Sequence, residues 1–298
     1  MSVVTSQGAV FFDTDVPVIT APYGLINLAE SANYLFAFSI INFNKLLVYN
    51  KLDYSLIYII DDVRTPVSPP AYTVHTNAKC DGEFLAYTEY HSYPSDHPAP
   101  GPRNLVYVRP VDNIAEVITI NVNDYGFPET YSAAPWGGYV YISSYAPGNN
   151  YLLKVNPLNS SDYELITVPG GARFRDIYII NNKLFANKYR AANDWYVNVY
   201  NVDNMSFIRD MDLYRVSTDN TVNVRFIPFG NYLRFNSQNN QITRYINTNT
   251  LISSTIKNYR DTRVASGNYM FSGSTIYSVK LSTYPGEILS YNNTIIQE

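Results

Sequence analysis

The chain has 298 residues, with 21 basic and 25 acidic groups for a net charge of −4, and 46% of it is hydrophobic. That apolar content excludes an intrinsically disordered chain, and the slightly acidic balance supplies no global attraction for nucleic acid. A single cysteine, Cys80, excludes an internal disulfide framework and any multi-cysteine metal site.

The first residues, Met1 to Ser6, carry neither a basic n-region nor a long apolar run, so no signal peptide is expected there and the localisation stays unknown. Nothing approaches the ~18 uninterrupted apolar residues of a membrane span, so no membrane span is expected. Tyrosine occurs 29 times and asparagine 33 times, while only 15% of residues are charged against a usual ~25%. Tyrosine, isoleucine, valine and threonine favour pleated, half-buried surfaces, and asparagine and aspartate favour turns. The composition therefore predicts many short strands joined by tight turns. No segment repeats apolar residues at helical spacing.

Taken in chain order, one short pattern recurs six times. It reads Asn33-Tyr34-Leu35-Phe36-Ala37, Gly82-Glu83-Phe84-Leu85-Ala86 and Gly138-Tyr139-Val140-Tyr141-Ile142, then Asn182-Lys183-Leu184-Phe185-Ala186, Asn231-Tyr232-Leu233-Arg234-Phe235 and Asn268-Tyr269-Met270-Phe271-Ser272. The leading Asn or Gly predicts a turn residue of positive φ, and the rest predicts a strand. A second strand pattern follows each copy, as in 46–53, 105–112, 152–159, 197–203, 242–249 and a degenerate 276–281, most copies ending in Asp or Asn. Such side chains bond their own backbone and start a turn. A further apolar strand comes next, over 56–60, 116–120, 163–168, 207–212 and 287–291.

The repeating unit is thus strand, turn, strand, loop, strand, Asx turn, strand, at a period of roughly 40–50 residues. A lone four-stranded sheet leaves both faces wet, whereas six arranged radially cover one another. The expectation is an all-β fold: a six-bladed β-propeller of four-stranded antiparallel blades, with seven blades possible. Residues 1–298 form a single domain in this reading, and 1–22 supply a ring-closing N-terminal segment that pairs with the last blade.

The third strand and Asx turn of the fourth unit, 197–203 with Asn204 and then 207–212, resemble the repeats of YVTN/YncE-like propellers. The resemblance covers most of the chain and implies the propeller fold, in a group that serves binding, surface and enzymatic roles alike. The Trp-Asp dipeptide, the kelch Gly-Gly pair and the sialidase box are missing, and fold analogy does not decide function.

Candidate sites fall in two places. The innermost strands of the fourth, fifth and sixth units carry Arg173 and Arg175, then Arg225, then Arg263, and that of the second offers His75 and Lys79. Converging there, the guanidinium forks would form a channel anion-binding pocket for carboxylate or phosphate. The second place is the rim. Residues 89–103, with Tyr90, His91, Tyr93 and His97, read as a projecting Tyr/Pro-rich contact loop. Residues 144–150 with Tyr145, and 189–195 with Arg190 and Trp195, should lie on the same face. Tyrosine offers large contact area at low entropic cost. No metal site is expected: His91 and His97 beside Asp96 and Glu89 match no familiar ligand spacing. An axial set of Glu83, Asn77, Asn223 and Asp176 is one arbitrary choice among many asparagines. No nucleophile elbow, phosphate loop or dinucleotide glycine pattern occurs, so neither a catalytic residue nor a cofactor is assigned.

The function expected from these features is a non-enzymatic interaction or structural scaffold. The low charge and abundant Tyr and Asn resemble virion structural proteins of archaeal viruses or phages. Partners would be other proteins, a homo-oligomer or a virion assembly, with a glycan possible and nucleic acid not expected. The alternatives are a glycan-binding propeller using Trp195 and Tyr145, and an axial-channel enzyme clamping an anionic substrate with Arg175, Arg225 and Arg263.

Overall fold

The computed structural model describes residues 10–39, 45–61, 72–92, 104–191, 194–212, 226–229, 232–236, 242–257, 264–266, 269–272, 274–283, 289–291 and 294–296. An N-terminal strand, β1 (Val10–Thr20), precedes the first complete sheet. Blade one is β2 (Leu25–Glu30), β3 (Tyr34–Ser39), β4 (Leu46–Asn50) and β5 (Leu56–Ile60). Blade two is β6 (Tyr72–Cys80), β7 (Phe84–Ser92), β8 (Leu105–Pro110) and β9 (Ile118–Asn121). Blade three is β10 (Ser132–Trp136), β11 (Tyr139–Ser143), β12 (Tyr151–Asn156) and β13 (Asn159–Thr167). Blade four is β14 (Phe174–Ile180), β15 (Lys183–Ala191), β16 (Asp194–Asn201) and β17 (Phe207–Asp212). Blade five is β18 (Phe226–Phe229), β19 (Tyr232–Asn236), β20 (Ile242–Asn247) and β21 (Ser253–Lys257).

Blade six closes the ring. It contains β22 (Val264–Ser266), β23 (Tyr269–Ser272) and β24 (Thr275–Thr283), and its outermost strand is β1, antiparallel to β24 with Val10 opposite Thr283. The expectation that 287–291 would form the fourth strand of this unit is corrected here. β1 already occupies that edge, and the C-terminal hairpin β25 (Leu289–Tyr291) and β26 (Thr294–Ile296) instead extends blade five, β26 lying parallel to β21. Each blade's innermost strand neighbours the next, from β2 through β6, β10, β14, β18 and β22 back to β2. Six antiparallel sheets in a closed ring make a six-bladed propeller, and no α-helix occurs among the described residues.

The core is divided among the wedges between blades, as radial packing of two-faced sheets requires. Phe36, Phe38 and Val48 of blade one meet Leu85 and Tyr87 of blade two, and Ala86 and Val108 then meet Val140 and Leu153 of blade three. Ala134 and Leu152 pack on Ile177 and Leu184, and Phe185 and Val199 pack on Phe226 and Leu233. Tyr269 and Ile276 of blade six cover Leu35 and Leu47 of blade one. Alternating residues of one strand thus enter different wedges: Leu184 faces blade three and Phe185 faces blade five.

Turn chemistry explains the recurrent Asn and Gly. In blade three the two-residue turn Gly137–Gly138 has φ of 58° and 82°, and in blade four Asn181–Asn182 has φ of 51° and 56°. Two successive positive-φ residues match the twist of a hairpin. Blades one and two use a three-residue turn capped by a side chain instead. The Tyr34 amide donates to Ser31 Oγ at 3.1 Å and the Phe84 amide to Asp81 Oδ1 at 2.9 Å. Asn33 has no positive φ, contrary to the sequence expectation, whereas Gly82 in the corresponding turn of blade two has a φ of 101°, as expected. The outer corner also recurs. Asn50, Asn156, Asn201 and Asn247 accept from the amide two residues on, at 2.8 to 3.0 Å. Four residues after three of these asparagines come Tyr54, Met205 and Leu251, at φ of 59°, 52° and 56°. A bulky residue is costly in that conformation; here Met205 and Leu251 are buried in the wedges and Tyr54 packs against one. Blade two has Pro110 at the asparagine position, and buried Arg109 holds the corner by donating from Nη1 to the Ile114 carbonyl at 3.0 Å.

Candidate functional site

On the axis, the inner strands carry a polar layer. Strand register places Asn27, Ser132 and Asp176 at equivalent points, opposite Phe38, Ser143 and Asn187. Lys79 enters the layer from blade two beside a bulge between Thr76 and Lys79, and Asp176 stands at a bulge between Phe174 and Asp176. An extra residue on one strand re-aims the side chains next to it. Lys79 Nζ lies 2.6 Å from Asp176 Oδ1, with the two side chains 4% and 0% exposed. Lys79 also donates to Ser132 Oγ, and Ser132 Oγ donates to Asp176 Oδ1 at 2.6 Å. The second carboxylate oxygen accepts the Phe226 amide at 2.6 Å. One buried ion pair therefore ties the inner strands of blades two, three, four and five.

A serine beside a lysine can be a nucleophile and its base. Here Ser132 is fully buried and its proton is committed to Asp176, so the arrangement is suited to holding strands together. Among the described residues there is no group of three or more His, Cys, Asp or Glu that could hold a metal. Cys80 packs against the wedge between blades one and two, and burial pushes its thiol up to about 12.

At one end of the ring, two sets of residues that the sequence kept apart come together. The link is a parallel bridge between Ser144, in the β11–β12 loop, and Arg173, just before β14. Arg173 Nε donates to the Tyr145 carbonyl at 2.9 Å, leaving its η nitrogens without a partner among the described residues. The guanidinium carbons of Arg173 and Arg175 lie 4.2 and 4.7 Å from the centre of the Tyr145 ring. The Tyr131 ring is 5.4 Å from the same ring. Lys188, opposite Phe174, donates to the carbonyls of Gly170 and Gly171, and desolvation lowers its pKa. Guanidinium over a tyrosine face is an attractive contact, and it holds cation and ring in a fixed relation. The result is a half-buried Arg/Tyr cluster at the junction of blades three and four.

The other expected positions divide as follows. Tyr90 and His91 belong to β7, paired with Val74 and Thr73, and Arg190 and Trp195 belong to the hairpin β15–β16, where Trp195 pairs with Tyr189. These four are strand residues where a loop was expected, because backbone pairing continues nearly to the hairpin tips. Tyr93, His97, Arg225 and Arg263 lie outside the described residues. Sequence reasoning missed Ser132 and Tyr131. A lysine and an aspartate on inner strands of different blades were a usable signal for the axial pair; an inner-strand serine carries none.

No known family profile matches the chain, and no curated protein matches it. Similarity to solved structures is confined to the path of the chain. A chain in the crystal structure of the Mitotic Checkpoint Complex has a TM-score of 0.48 at 12% identity, over 96% of this chain and 85% of that one. Myxococcus xanthus glutaminyl cyclase has a TM-score of 0.39 at 10% identity, over 92% and 97%. A chain of the Nidogen/Laminin complex has a TM-score of 0.43 at 9% identity, over 65% and 66%. The propeller assignment rests on this protein's own strand pairing and ring closure.

Proposed function

We propose that the protein is a non-enzymatic interaction scaffold, a component of a virion or surface assembly that contacts protein partners through one end of the ring. The observation that carries this reading is the stacking of both the Arg173 and the Arg175 guanidinium on the Tyr145 ring beside Tyr131. Tyrosine and arginine dominate binding hot spots, since each combines a large apolar body with polar groups at its end. A cluster already ordered before binding loses less freedom when a partner docks. The low charge, 15% of residues, and the 29 tyrosines suit a protein whose surfaces are largely covered in an assembly.

The test is recovery of the tagged chain from its native source, compared with Tyr145→Ala and Arg173→Ala variants. A stoichiometric protein partner should be retained by the wild-type chain, and loss of one hot-spot residue, about 2 kcal/mol, should weaken it about 30-fold. Undiminished binding by both variants, or recovery of the wild-type chain with no partner, overturns the reading.

A further inference from the structure

The outer edges of the blades are where sheets of this kind meet other chains, because an edge strand presents unpaired N–H and C=O groups. Five of the six edges are guarded. β1 contains Asp13, Asp15 and Pro17. β9 is only four residues long. β13 contains Asp162 and Glu164, and β17 contains Arg209, Asp210 and Asp212. β21 is already covered by β26. Charges, proline, shortness and coverage are the usual means of preventing edge-to-edge association.

β5 has none of these; its pairing with β4 bulges at Ile57, as that of β17 does at Ile208, and is regular from Tyr58 to Ile60. It reads Leu56-Ile57-Tyr58-Ile59-Ile60, without a charge or a proline, and its first four side chains are 40%, 38%, 52% and 44% exposed. Both faces of the strand are apolar at the rim, so the exposed surface wraps around an open hydrogen-bonding edge. Blade five shows that an outer edge in this fold accepts another strand while its own ladder stays regular from Ile242 to Ile246.

We propose that β5 pairs antiparallel with β5 of a second copy of this chain, joining two blades into one continuous sheet across a two-fold axis. The strand is complementary to itself. With the axis at Tyr58, Leu56 falls opposite Ile60, Ile57 opposite Ile59, and Tyr58 opposite its own counterpart. Every directly opposed pair within the strand is then apolar or aromatic, the pairing that stabilises sheets. At the ends of the strand, Asp61 falls opposite Ser55, so no acid faces an acid there, and Asp61 is neutralised within its own chain by Lys45. A two-fold contact places the same patch on both sides, and a charge-free patch suits a chain of net charge −4. This surface is the outer edge of blade one, separate from the Tyr145 cluster, so either proposal can fail without the other.

Sedimentation of the full chain tests it. The wild type should sediment at twice 33.8 kDa and Ile59→Lys at 33.8 kDa, with the far-ultraviolet spectrum of the variant unchanged. A Tyr58→Cys variant gives a readout that does not depend on the lysine variant folding. Its new thiol sits on the axis and should form an intermolecular disulfide at least tenfold faster than one placed by Leu158→Cys, at another exposed site. A monomeric wild type, a dimer indifferent to Ile59→Lys, or equal cross-linking at the two cysteine positions overturns the proposal. So does a chain that stays monomeric while β5 binds a different protein.

Discussion

At the residue scale, the molecule is most exposed to change where charge is buried. Lys79 and Asp176 repay their desolvation only together, because each is the only opposite charge the other meets among the described residues of the buried axis. Removing one partner of such a pair leaves an isolated ion, at a cost of about 3–5 kcal/mol. Lys79→Met should therefore lower stability to chemical denaturation by that amount. Adding Asp176→Asn should restore part of it, since the remaining amide is neutral and Ser132 and the Phe226 amide still bond to it. A denaturant melt of the single and double variants measures both; equal stability of wild type and Lys79→Met would show the pair to be idle.

At the scale of elements, local rules and ring geometry share the work. The turns follow side-chain chemistry closely: asparagine closes the outer corner, and Gly-Gly or Asn-Asn closes the inner one. Strand partners at the seam follow the ring. β24 needs a neighbour on its outer side, and β1 reaches it from the far end of the chain. Removing residues 1–20 should leave blade six with three strands and uncover its wedge with blade one, where Ile19 packs against Tyr269 and Ile276. The expected outcome is a large drop in the unfolding midpoint, and adding residues 1–20 as a separate peptide should restore part of it. A truncated chain with an unchanged midpoint would mean the ring closes without β1.

At the scale of the whole molecule, the tyrosines link stability to pH. Burial pushes Tyr49, Tyr141 and Tyr200 up to about 12 from the ordinary 10.0, and raises Tyr178 and Tyr269 as well. A raised pKa means that the folded state holds the phenolic proton more tightly than the unfolded one. The stabilisation is therefore complete below pH about 10 and is lost as pH rises from about 10 to 12. Denaturant midpoints should hold steady up to pH about 9 and then fall, with phenolate absorbance appearing in two phases, exposed tyrosines first and buried ones with unfolding. A single early phase would place these rings in water.

Much of this architecture was legible beforehand. Strand, turn and period are set by neighbours in the chain, so the six repeats and strands such as 56–60 and 207–212 could be read directly. The site was less legible, because its parts lie far apart in sequence. Tyr145 and Arg173 were each visible as candidates, but their meeting depends on how blade three sits against blade four. Likewise Lys79 finds Asp176 only because bulges in two inner strands aim both side chains at one axis. The sequence by itself determined the module, since hydrogen bonding and turn preference act over a few residues. Only the tertiary structure decided which edge stays open, where the C-terminal hairpin docks, and which charges share the axis, since those depend on packing six modules around a common centre.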